Sequence, residues 1–198
     1  MAKFLPLESK LNKLGFLFVA GIDEAGRGPM AGPVVSAAVI LKPNSRIQGL
    51  DDSKKLSEKQ RERLFELIIK NASHYAIAVV SHITIDEINI LKSTQLANDM
   101  AVNALEIIPD FVLIDGKDKQ IILPDFQTII KGDSRVKSIA AASILAKVMR
   151  DKIMKKYAEE YTKYDFQKHK GYGTRSHRAL MEKHGLCDIH RKSYTFKV

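Results

Sequence analysis

Apolar residues in this chain are gathered in short, dense runs, several of them closed by an acid or a glycine. The run over 16–23 has the continuous apolar character of a central strand buried on both faces. The β-branched segment PVVSAAVIL over 33–41 predicts a second strand, and the glycines between the two predict a hairpin-like connection. Third, fourth and fifth strands are predicted over 75–83, 111–115 and 127–131, with helical patterns between them. Ser57 and Gln60 have capping-box spacing ahead of RERLFELIIK, and Thr84 and Glu87 have it ahead of a helical stretch to about Leu105. A further helix follows Asp133, and QKHKGYGTRSHRALMEKHG reads as a glycine-hinged loop leading into a short helix. The alternation predicts an α/β fold with a mixed sheet.

At 198 residues and 45% hydrophobic content, the chain closes one sizeable core. A single domain over 1–198 is expected, with a basic helical region over about 160–198. No repeat or low-complexity tract interrupts it. No apolar stretch approaches the roughly 20 residues that cross a bilayer. The opening MAKFLPLESKLNKL lacks the hydrophobic segment and cleavage site of a secretory signal, so a cytoplasmic location is expected; separately, a monomer is expected. Cys187 is the only cysteine, which excludes an intrachain disulfide. With His184 and His190 it mimics half of a zinc site, but structural zinc takes four ligands.

Charge is unevenly divided. Residues 131–198 hold 17 Lys and Arg against 7 Asp and Glu, whereas residues 1–130 hold 15 against 16. A basic last third fits either a polyanion, nucleic acid above all, or a solvated lysine-rich face.

The segment LFVAGIDEAGRGPMAG over 17–32 carries the strongest chemical signal. Gly26, Gly28 and Ala31 fit the G-x-G-x-x-A spacing of a dinucleotide-binding loop. That loop must open directly into a helix, whereas Gly32 and Pro33 intervene here and a strand pattern follows. The acids suggest another chemistry. Asp23 and Glu24 end the first strand, Asp115 ends the fourth in FVLIDG, and Asp133 follows the fifth in IIKGD. If the first and fourth strands are parallel neighbours, these acids converge at one sheet edge. Clustered carboxylates repel one another, and Mg²⁺ or Mn²⁺, which prefer oxygen ligands, relieve that repulsion. Two such ions about 3.5–4 Å apart suit in-line displacement at phosphorus. Singly, each acid has a plainer reading: Asp133 as a helix cap, Asp115 as a turn residue, Asp23 and Glu24 as partners of nearby lysines.

On the helix after Asp133, most of the circumference is apolar or small. Ser143, Lys147, Arg150 and Asp151 form the polar exception, on about the side to which Asp133 projects. This stripe reads either as a holder of a phosphate backbone or as an ordinary solvent-facing edge.

GIDEAGRGPMAGPVVSAAVIL, followed by DDSKKLSEKQRE, LIDGK, KGDSRVKSIAAASILAKVMRD and HKGYGT, closely resembles bacterial ribonuclease HII from about Phe16 to Tyr194. The resemblance implies a ribonuclease H-like fold: a mixed five-stranded sheet flanked by helices, with a C-terminal helical segment by the substrate groove. It implies an endonuclease that cuts the RNA strand of RNA–DNA hybrids and nicks duplex DNA 5′ to an embedded ribonucleotide, leaving 3′-hydroxyl and 5′-phosphate ends. The implied role is removal of ribonucleotides and RNA primers from DNA.

The family's catalytic and metal-binding acids fall on Asp23, Glu24, Asp115 and Asp133, and its Gly-Arg-Gly motif, which reads the ribose 2′-hydroxyl, falls on Gly26, Arg27 and Gly28. Its junction-sensing tyrosine falls on Tyr172. Lys54 and Lys147 look like its phosphate contacts, with Lys55 hard to separate from Lys54; Ser143 is a candidate substrate contact from its place on the polar stripe. The cofactor implied is two Mg²⁺ or Mn²⁺ ions, with Asp23 and Asp115 bridging or flanking them and Glu24 and Asp133 completing their shells. Contact with a replication clamp or polymerase stays open. The alternatives are a nuclease for DNA junctions, which would leave GRG and GYGT with no 2′-hydroxyl to read, and a nucleic-acid-binding protein that never cuts. The related type with an added N-terminal substrate-binding domain is disfavoured, since about fifteen residues precede the first strand.

Overall fold

The computed structural model describes residues 4–117 and 125–194. Its strands are β1 (Val19–Ala25), β2 (Val34–Leu41), β3 (Ala72–Val80), β4 (Phe111–Asp115) and β5 (Asp125–Ile129). They form one mixed sheet in the order β3-β2-β1-β4-β5. β1 runs antiparallel to β2 and parallel to β4; β2 and β3 are antiparallel, and β4 and β5 are parallel. The predicted β1–β2 hairpin and β1–β4 neighbourhood are therefore both present. β1, at the centre, is buried through Asp23, as its continuous apolar run requires.

Two strands lie elsewhere than the sequence pattern suggests. β3 begins at Ala72 and ends at Val80, because Ser81 caps the next helix by accepting from the Thr84 N–H at 3.2 Å. Thr84 is thus the third residue of helix α3 (His82–Asn103), and the Thr84–Glu87 capping box does not form its start. β5 begins at Asp125, two residues before the predicted 127–131; Asp125, Phe126 and Gln127 are exposed on this edge strand. The Ser57–Gln60 capping box is present at the start of α2 (Glu58–Asn71).

Helix α4 (Lys137–Glu160) packs on β1 and β2 through Ala140, Ala141 and Ala142, with Leu64, Phe65 and Ile68 of α2 in the same cluster. The approach is close: a Cβ on Gly21 of β1 would lie 2.3 Å from the Ser138 carbonyl carbon and 2.4 Å from the Ile139 nitrogen. α3 covers the opposite face with Ala101 and Val102 against Ile22 and Ile114. Asp133 does not cap α4. Val136 is the N-cap residue, and Glu8 of helix α1 (Leu7–Lys13) accepts from the Ser138 N–H and hydroxyl at 2.9 and 3.0 Å.

The C-terminal part holds short α5 (Phe166–His169) and α6 (Arg175–His184). Tyr164, Phe166 and Ile189 pack with Ala31 and with Met154 of α4. Among the described residues no helix is long and apolar enough to cross a membrane.

Candidate active site

Strand register gathers the acids. Ile22 of β1 lies beside Ile114 of β4, so Asp23 and Asp115 follow at adjacent positions on parallel strands. After β5, Lys131 takes a left-handed conformation (φ 55°) and opens the 3-10 turn Gly132–Ser134. The Gly132 N–H donates to Asp115 Oδ1 at 2.6 Å, fastening this turn to the end of β4 and delivering Asp133 beside it. Oxygens of Asp23, Asp115 and Asp133 lie within 4.8 Å of one another, with Asp23 and Asp133 buried. Hard oxygen donors at that spacing, with their charges partly withdrawn from water, suit a divalent cation.

Glu24 lines the same cleft but stands outside this triad, 3.5 Å from the Arg27 guanidinium.

The cleft has a volume of about 440 Å³. Gly26, Arg27, Gly28 and Tyr172 line it. A Cβ on Gly28 would meet only Tyr172 Cε1, at 3.9 Å, so the missing side chain leaves room for a ligand against bare backbone. Lys54, Ser143 and Lys147 complete the set of sequence-predicted residues lining the cleft. Lys54 and Lys55 are clearly separated: Lys54 Nζ donates to Asp133 Oδ2 at 2.8 Å, whereas Lys55 turns back to Asp51 at 3.4 Å. The hydrogen bond to Asp133 raises the Lys54 ammonium to a pKa of about 12. Lys147 Nζ donates to Asp151 at 2.7 Å and lies 5.6 Å from the Tyr172 ring centre.

Residues 20–197 match the family profile Ribonuclease HII. The chain belongs to the ribonuclease HII family. It is by that membership a ribonuclease H, a hydrolase. It is 56% identical to Ribonuclease HII of Endomicrobium trichonymphae over 182 residues, covering 91% of this chain and 87% of that one. Identity to Ribonuclease HII of Caldicellulosiruptor saccharolyticus is 50% over 192 residues, covering 96% and 93%. Among solved structures, the ribonuclease H2 from Pyrococcus horikoshii OT3 superposes with a TM-score of 0.80 at 27% identity, over 90% of this chain and 94% of that one. RNase HII from Archaeoglobus fulgidus, solved in a PCNA:RNase HII complex, has a TM-score of 0.77 at 26% identity, over 92% and 97%.

Four features of this ribonuclease HII chain escape the sequence pattern. Ser53 lines the cleft and bonds the Ser143 hydroxyl at 2.9 Å. Arg61 of α2 also lines it, donating to the Ser53 and Leu56 carbonyls. Arg150, grouped with the polar stripe on α4, faces no phosphate: it is fully buried and donates to the carbonyls of Pro33, Lys170 and Ala31 at 3.0–3.1 Å.

The fourth feature lies behind Tyr172. The Cys187 N–H donates to His190 Nδ1 at 2.9 Å, His190 and His177 share an Nε2–Nε2 hydrogen bond of 3.1 Å, and His177 Nδ1 contacts the Tyr172 carbonyl at 3.0 Å. One set of neutral tautomers satisfies this chain: His190 donates from Nε2, and His177 donates from Nδ1. His177 and His190 are thereby used as supports, and the half zinc site read from His184, Cys187 and His190 is not among the metal-ligand groups of the described residues. Burial, and next the neighbouring His169, lower His177 to a pKa of about 4. Below the ordinary histidine value of 6.5 the unfolded chain takes a proton that folded His177 refuses until about pH 4, so stability falls across that window. The melting temperature should drop as pH is lowered from 6.5 to 4 and drop less in His177→Gln; equal pH slopes in thermal melts of the two chains would exclude His177 as the cause.

Proposed function

We propose that this chain nicks duplex DNA on the 5′ side of an embedded ribonucleotide and cuts the RNA strand of RNA–DNA hybrids, leaving 3′-hydroxyl and 5′-phosphate ends. The observation that carries this reading is one cleft lined both by Asp23 and Asp115, which gather with Asp133 within 4.8 Å, and by bare backbone at Gly28. The acids serve the phosphodiester and the bare backbone serves the sugar. Asp23, Asp115 and Asp133, with Glu24 at the margin, would hold two Mg²⁺ or Mn²⁺ ions. Bound there, the ions supply Lewis-acid stabilisation to the attacking and leaving oxygens of an in-line displacement.

The chain's own groups do the rest. Backbone of Gly26, Arg27 and Gly28 approaches the ribose and bonds its 2′-hydroxyl, the group that distinguishes RNA from DNA at one nucleotide. The half-exposed Tyr172 ring stacks on the adjoining deoxyribose, held from below by Lys147 and by Arg150 at 5.7 Å from its centre. Lys54 carries its charge at the mouth of the cleft, with 75% of its side chain exposed, and can turn from Asp133 to a phosphate oxygen. Lys147 and Ser143 line the path of the strand. The basic last third of the chain supplies the wider attraction for the duplex backbone.

The test is a labelled DNA duplex containing one ribonucleotide, incubated with Mg²⁺ or Mn²⁺ beside an all-DNA duplex. A single metal-dependent cut 5′ to the ribonucleotide is expected, and Tyr172→Ala should weaken it while calorimetry shows divalent-ion binding retained. Binding that persists in EDTA with no cut in either metal would overturn the reading, as would equal cutting of the all-DNA duplex.

A further inference from the structure

Arg191 is completely buried and comes from the far end of the chain, yet it sits directly beneath the Gly-Arg-Gly loop. Its guanidinium donates to four carbonyls of the 26–33 segment: Gly26, Arg27 at 3.0 Å, Gly32 at 2.9 Å and Pro33 at 3.2 Å. It also donates to the Tyr194 hydroxyl at 2.8 Å, and that hydroxyl donates onward to the Arg27 carbonyl at 2.6 Å. Main-chain bonds from Arg191 N–H to Met30 O and from Gly32 N–H to Ile189 O, both 2.9 Å, lock the two segments together.

The direction of these bonds matters more than their number. The peptides here are trans, and in a trans peptide the C=O and the following N–H point to opposite sides. Drawing the Gly26 and Arg27 oxygens down onto Arg191 therefore turns the Arg27 and Gly28 N–H groups away from it. Both residues line the cleft and the buried Arg191 does not, so the side turned from Arg191 is the one available to a ligand there. Only a planar fork can span acceptors this far apart; a lysine ammonium offers three donors from a single point.

We infer that Arg191, assisted by Tyr194, is a positioning residue that aims the loop's amides at the ribose 2′-hydroxyl and so sets discrimination between ribose and deoxyribose. The inference rests on the ribose-reading role proposed above for residues 26–28. Arg191 touches no substrate and acts through loop backbone.

The test compares the affinities of two duplexes that differ only in one 2′-hydroxyl, by fluorescence anisotropy with Ca²⁺ replacing Mg²⁺ so that binding is read without cutting. The ratio of the two affinities is the readout, since a loss of folded protein lowers both and leaves the ratio unmoved. Arg191→Met should reduce the ribonucleotide preference about tenfold, the scale of losing a hydrogen bond that positions a buried donor. Arg191→Lys should fall between Arg191→Met and the parent chain. Tyr194→Phe removes a single hydroxyl and should reduce the preference about threefold. Tyr194→Phe decides the matter if Arg191→Met fails to fold. A folded Arg191→Met or Tyr194→Phe chain with the parent ratio overturns the inference. A parent ratio near one would instead overturn the ribose-reading role itself.

Discussion

Asp115→Asn should reduce nicking at a single ribonucleotide by at least about a thousandfold, since the role proposed for the acids, holding the ions, is worth several kcal/mol in the transition state. The substitution is close to isosteric. An asparagine Oδ1 still accepts from the Gly132 N–H, so the turn that delivers Asp133 keeps its fastening to β4. What is lost is one negative charge from a group of oxygens within 4.8 Å. Titration calorimetry with Mn²⁺ should show weakened binding, while circular dichroism stays that of the parent. The metal-free melting temperature should not fall, because one of three mutually repelling carboxylates has gone. A variant that keeps more than about a tenth of the parent rate in Mg²⁺ would remove Asp115 from the metal-holding role.

Gly21→Ala should be the most damaging single methyl in the described fold. The added carbon would lie 2.3 Å from the Ser138 carbonyl carbon and 2.4 Å from the Ile139 nitrogen, and helix backbone cannot rotate aside as a flexible side chain does. α4 would have to retreat from β1, opening the contact made by Ala140, Ala141 and Ala142. Overpacking costs about 1–3 kcal/mol or more, so a large drop in melting temperature or failure to fold is expected. If the chain does fold, the retreating helix carries the Gly132–Ser134 turn and draws Asp133 from Asp23 and Asp115, so activity should fall further than the folded fraction. Thermal melts paired with rates per folded molecule measure both effects; a parent-like melting temperature would show that α4 moves more cheaply than its packing implies.

The parts of this molecule that can be read from residue type are those in which side chains do the talking. Long apolar runs closed by acids mark β1 and β4, and their parallel pairing is what brings Asp23 to Asp115. β5 is an edge strand with three exposed residues at its start, so its pattern carries little period and its start is misplaced by two residues. The start of α3 is misread because Ser81 and Thr84 both have capping chemistry, and tertiary context selects Ser81. The kink at Asn89, with φ 67° inside α3, has no glycine or proline to announce it. Glu24 follows Asp23 in sequence and lines the same cleft, and its carboxylate lies 3.5 Å from the Arg27 guanidinium, a pairing that spacing alone does not announce.

Arg150 and Arg191 show a deeper limit. A basic residue near a nuclease site suggests a phosphate, but both guanidiniums are consumed by main-chain carbonyls. Every residue has a carbonyl, so such a partner leaves no trace in composition or spacing. Ser53 and Arg61 are hidden similarly, Arg61 by carbonyl partners and Ser53 by a hydroxyl pair whose members lie 90 residues apart.

Because Arg191 underlies a loop written at residues 26–33, the order in which the molecule acquires its properties during synthesis is set. The chain is made from its N-terminus at about 5–20 residues per second. The acids Asp23, Asp115 and Asp133 and the helix that backs them all precede residue 161. A nascent chain of that length holds every group proposed to cut, while the residue that aims the loop at ribose is still thirty residues from being added. The capacity for hydrolysis is thus encoded ahead of the capacity to choose a sugar, and the two come under one control only when residues 189–194 fold back beneath the loop over 26–33.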